Sequence, residues 1–145
     1  MTAAPSPTPE PTAVALTCES LLGPERWASA ADSLAGQDYL DKIANEGSPV
    51  ALFEEYGGVL CAVAAGDEIG AFYAASPIAP EAQATQEERL LSEGYVASSV
   101  DGGTLYTDTS GRRPPRGDYF FRDGSWWMAS SADDLTAIVA NWPGA

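Results

Sequence analysis

The chain has 145 residues, 21 of them acidic against 7 basic, for a net charge of -14, and it contains no histidine. That negative field disfavours nucleic-acid phosphates and anionic lipid surfaces as partners. The missing histidine removes the commonest general base and the commonest metal ligand, so no cofactor or metal centre is expected and nucleophilic catalysis loses its usual partner.

The first sixteen residues, Met1 to Leu16, are spaced by Pro5, Pro7, Pro9 and Pro11 and offer almost nothing to bury. They read as a disordered Pro/Thr-rich stalk. Residues 17–145, rich in apolar and aromatic side chains, supply enough chain for a single α+β domain with one core. Gly23-Pro24-Glu25 reads as a helix start, with Trp27, Ala31 and Leu34 on one face and Gly36 at the end. A second short helix is expected over Asp38–Glu46, stopped by Gly47, and Val50–Tyr56 fits a helical turn or a strand equally.

Strands over 59–64 and 69–75 flank Gly66-Asp67 as a hairpin. Glu81–Glu93 is rich in helix formers and stops at Gly94. Strands over 95–100 and 104–109 surround Asp101-Gly102-Gly103. Tyr119–Arg122 and Ser125–Ala129 flank Asp123-Gly124, the clearest turn signal in the chain. Ser131 caps a last helix whose Leu135, Ile138, Val139 and Trp142 recur at helical spacing. The expected architecture is therefore α+β: a meandering antiparallel sheet with helices packed on one face, including N-terminal and C-terminal helices.

Cys18 and Cys61 are the only cysteines. Cys18 follows the stalk, and Cys61 sits in the apolar run Val59–Ala64. One reading is a disulfide fastening the start of the fold to its sheet, worth about 4 kcal/mol for a loop of that length. The other is a pair of buried free thiols in a cytosolic protein. No signal peptide is read in the sequence, and the longest uncharged apolar run, Gly57–Gly66, is too short for a membrane span. Export therefore implies a targeting segment ahead of Met1.

Thr17-Cys18-Glu-Ser-Leu-Leu22 after the stalk, Gly57-Gly-Val-Leu-Cys61, Glu93-Gly-Tyr-Val96 and the aromatic hairpin from Tyr119 to Trp127 together resemble small secreted proteins and lipoproteins of actinobacteria. The chain departs from them at Val63, where such proteins often carry tryptophan, and it has no cysteine ahead of Cys18 for a lipid. The resemblance implies an extracellular, cell-surface location, the disulfide and an upstream lipid anchor. It implies no activity.

The candidate ligand-binding residues are Trp126, Trp127, Tyr119, Arg112, Arg113 and Arg116. One of two adjacent strand tryptophans can face outward and stack on a sugar ring or an apolar ligand. The arginines crowd one Gly/Pro loop and can grip a carboxylate, a phosphate or an anionic wall polymer. Together they suggest a non-enzymatic extracytoplasmic domain that binds an unidentified ligand or cell-envelope component. Two other readings stand beside it. A hydrolase of cell-wall carbohydrate would need two carboxyls facing across a cleft, one with a raised pKa. An acidic cytosolic inhibitor or DNA mimic would carry free thiols and a one-faced carboxylate array.

Overall fold

A computed structural model of the chain describes residues 17–47, 49–65, 68–108 and 117–141. The proposed stalk, the Gly66-Asp67 turn, Arg112, Arg113, Arg116 and Trp142 lie outside these residues. The elements run α1 (Cys18–Ala30), α2 (Gln37–Asn45), α3 (Leu52–Glu55), β1 (Val59–Ala65), β2 (Glu68–Pro77), α4 (Pro80–Ser92), β3 (Val96–Val100), β4 (Gly103–Thr107), β5 (Asp118–Arg122), β6 (Ser125–Ala129) and α5 (Ala132–Ala140). The fold is α+β, with an antiparallel sheet and helices at both ends of the described chain.

The first helix begins earlier than Gly23-Pro24 suggests. Thr17 caps it: the Ser20 backbone N–H donates to the Thr17 hydroxyl, and the Thr17 backbone N–H donates to Ser20 Oγ at 2.9 Å. This reciprocal cap holds a turn on its own. Gly23, at φ 83°, then kinks the helix before Pro24 resumes it. Val50–Tyr56 resolves as helix, a short 3-10 turn running into α3.

The six strands lie in the order β1-β2-β6-β5-β4-β3, and every neighbouring pair is antiparallel. The β1–β2 hairpin and the β3–β6 meander join along β2 and β6, and α4 carries the chain from β2 to the far edge. Both Asp-Gly turns take positive φ at two consecutive residues: Asp101 at 49° and Gly102 at 81°, Asp123 at 52° and Gly124 at 79°. That backbone matches the strand twist in a two-residue hairpin, which is why Asp-Gly marks it.

The sheet is covered on both faces, not one. The first core cluster joins Leu40, Ile43, Val50, Phe53 and Leu90 from α2–α4 to Phe72, Tyr106, Tyr119, Phe121, Trp126 and Met128. The second joins Leu21, Leu22 and Ala30 of α1 and Leu135 and Ile138 of α5 to Cys61, Tyr73, Phe120 and Trp127. Cover on both faces follows from the two-residue period of the strands. β1, β2, β5 and β6 are apolar at successive positions, so both sides of those strands need cover.

Cys18 and Cys61 form a disulfide, with their Cα atoms 5.9 Å apart. It fastens the first residue of α1 to the middle of β1. Neither cysteine is free.

The two sheet edges differ. Along β1, Leu34 bridges to Val63, and the Ala35 N–H donates to the Ala62 carbonyl at 2.8 Å. The register also slips between Val63 and Ala64. Along β3 every residue is exposed.

Candidate binding site

The aromatic residues singled out from sequence are core residues. Trp126 is 0 % exposed, Trp127 1 % and Tyr119 2 %. Trp126 stacks on Phe53 with ring centroids 4.0 Å apart, and its Nε1–H donates to Ser76 Oγ at 2.7 Å inside the core. Tyr119 packs 5.8 Å from Trp126 and lies under the Arg89 guanidinium. Trp127, on the opposite face, packs against Phe120. The two tryptophans do face opposite sides, as adjacent strand residues must. Each side has its own helices, so neither ring presents a stacking surface. The structure brings Tyr119 and Trp126 together in the first core cluster, places Trp127 in the second on the opposite face, and the arginine loop falls outside the described residues.

The open surface lies at the β3–β4 end of the second face. On this face α1 packs on β1 and β2, and α5 packs on β6, β5 and β2. A cavity of about 110 Å³ lies between the side of α5 and the β3–β5 end of the sheet. Its apolar wall is Val100, Leu105, Phe120, Leu135 and Val139, and Asp101, Arg122 and Thr136 stand among its polar lining. Local rules build both sides. Leu105 and Phe120 are cross-strand partners on one face of β4 and β5. Leu135, Thr136 and Val139 fall on one stripe of α5 by helical spacing. A cavity of this size admits one apolar side chain or a small ring.

Arg122 is the cationic group of this site, beside the acidic Asp101. Its guanidinium carbon lies 5.4 Å from the Phe120 ring centroid and 5.8 Å from that of Trp127. The ring faces hold a guanidinium through their quadrupoles and leave its donors directed along the plane. Nη1 is 3.5 Å from the Asp101 carbonyl, and Nε is 3.9 Å from the exposed Asp123 carboxylate. Both contacts are long, so the guanidinium can turn to a better acceptor. The sequence marked Arg122 only as the end of a strand. Its nearness to the cavity depends on where α5 lands, which no local pattern records.

Three polar clusters lie elsewhere. The Arg26 Nε–H donates to Asp134 Oδ1 at 2.8 Å, and the Tyr73 hydroxyl donates to Asp134 Oδ2 at 3.3 Å. Burial, then the Asp134 charge, pushes the Tyr73 hydroxyl above its ordinary range. This network clamps α1 to α5 beside a shallow groove that Glu25 and Ser29 also line. On the other face, the Tyr106 hydroxyl donates to Glu87, which also accepts from Gln83 Nε2. Burial and that carboxylate raise the Tyr106 hydroxyl strongly. A wider cleft between α2–α3 and α4 is lined by Glu54, Glu55, Gln86 and Arg89.

At the start of β5, burial raises the Asp118 carboxyl above its usual range, and the charge of Asp108 adds to the shift. The Asp108 backbone N–H donates to Asp118 Oδ1 at 3.1 Å and opposes it. Asp118 thus anchors the base of the β4–β5 connection. A hydrolase would need such a carboxyl facing a second one across a cleft. No described helix is long and apolar enough to cross a membrane.

No protein-family model matches this chain, and no curated protein or solved structure is significantly similar to it.

Proposed function

We propose that this chain acts outside the cytoplasm as a non-enzymatic binding domain. Its Pro/Thr-rich first sixteen residues hold it off a surface, and it engages a component of the cell envelope at the cavity between α5 and the β3–β4 hairpin. The observation that carries this reading is the Cys18–Cys61 disulfide in the second core cluster. Such bonds form and persist in oxidising compartments and are rare where thiol reductants dominate. The cavity gives the reading a location: an apolar recess beside an aromatic-held guanidinium, in a chain whose net charge of -14 repels polyanions.

Two measurements test it. The first is alkylation and mass analysis, with and without prior reduction, of the protein taken from its native cells. Two free thiols there would remove the extracytoplasmic assignment. The second is retention of the labelled domain by isolated cell envelopes, compared with Val139→Phe, which fills the recess. Retention lost in that variant supports the cavity as the site. Retention indifferent to it, or no retention at all, discards it.

A further inference from the structure

Three large apolar residues are exposed among the described part of the chain, and two of them lie on the edge strand β3. The three are Leu91 at 54 % on α4, and Val96 at 55 % and Val100 at 36 % on β3. α4 packs on the Tyr106 face through Leu90 and Glu87, so Leu91 stands on the other side of the sheet from Val96 and Val100. β3 itself, Val96-Ala-Ser-Ser-Val100, has no charge, proline or irregularity in its pairing with β4. Natural sheets guard a free edge with such devices. This fold does so at β1, with the Leu34 bridge and the register slip, and leaves β3 bare.

The geometry points to β3 as a homodimer interface, in which β3 of a second copy adds antiparallel about a two-fold axis through Ser98. The register follows from symmetry. A two-fold perpendicular to the sheet keeps each side chain on its own face, so partners must share parity along the strand. Centring on Ser98 is then the arrangement that pairs all five residues. Val96 lies opposite Val100 of the other copy, twice, and Ala97 opposite Ser99. Extending the register sets Asp101 against Tyr95 and Glu93 against Gly103, so no like charges meet across the seam.

Val96, Ser98 and Val100 share the face of Leu105, the cavity face. Each apolar pair therefore adds to a cavity wall. Two six-stranded sheets become one of twelve strands, with both cavities on the same side. Such an assembly presents two binding sites to one surface, where the second engagement is intramolecular. This goes beyond a binding role for one copy, and either idea can fail without the other.

Edge pairing over five residues is a small interface, so the dissociation constant falls roughly between micromolar and millimolar. Each copy carries -14, so association strengthens as salt screens the repulsion.

The test is sedimentation equilibrium of the disulfide-intact chain over that concentration range, at low and high salt. The expected mass climbs from 15.1 kDa toward twice that value, and more readily at high salt. Ser98→Lys sets lysine against lysine on the axis and holds the protein at monomer mass. Asn45→Lys, exposed on α2, makes the same charge change and leaves the dimer intact. In Ser98→Cys, mild oxidation gives a covalent dimer. A wild-type chain monomeric throughout overturns the proposal and leaves the edge to a strand from another protein. A dimer that Ser98→Lys does not weaken also overturns it.

Discussion

Removing the Cys18–Cys61 crosslink, by reduction or by Cys18→Ala with Cys61→Ala, releases a loop closed over a sequence separation of 43. In the chain-entropy account the bond restricts the unfolded ensemble, and a loop of this length corresponds to about 4 kcal/mol at 25 °C. Reduction leaves both sulfurs in place, so it isolates the crosslink. The double alanine variant adds the loss of a buried sulfur at Cys61, roughly 1 kcal/mol more. Urea unfolding of oxidised, reduced and double-alanine chains separates these contributions. The oxidised chain should have the highest midpoint, and reduction should lower the unfolding free energy by about 4 kcal/mol. The slope against urea should also rise on reduction, because an uncrosslinked unfolded chain exposes more surface. If reduction costs less than about 1 kcal/mol and leaves the slope unchanged, the entropic argument is refuted and the staple is incidental to the fold.

Ser76→Ala strips the buried Trp126 indole of its acceptor, and stability should fall by about 1–3 kcal/mol in the same urea assay. A loss within error would mean the indole finds another partner. Gly58→Ala should destabilise by roughly 3 kcal/mol or prevent folding, since an added Cβ would lie 2.0 Å from the Ala75 carbonyl oxygen; a variant as stable as wild type would show that β1 can shift away from β2. Asp118→Asn tests the raised carboxyl. A folded-state pKa above the ordinary 3.8 means the folded chain holds its proton longer, so the wild type loses stability as pH rises through that interval. The asparagine keeps an acceptor for the Asp108 N–H, so the variant should be the more stable at pH 7, with the gap closing as pH falls toward 3.8. A variant less stable at pH 7, with the gap unchanged in acid, would contradict the assigned cause.

The amino-acid order alone determined those features whose causes are local. Asp101-Gly102 and Asp123-Gly124 demanded tight hairpins because few other pairs accept left-handed backbone twice in succession. Ser131 stopped the backbone before α5, with its hydroxyl accepting the Asp134 N–H. α2 and α4 begin and end within a residue of their expected bounds, because glycine after each leaves the helix no continuation. The α+β class followed from that order of periods.

What only the tertiary structure decided was how faces are shared out. Trp126 and Trp127 carry the same local signal whether one or both are buried; the answer came from α3 covering one face while α1 and α5 cover the other. The cavity beside Arg122 is equally non-local, since it forms between the side of α5 and strands β3–β5, which only packing brings together. Side-chain alternation fixes which residues share a face, but solvent exclusion depends on helices delivered from distant parts of the chain, and their placement is settled by packing across the whole sheet.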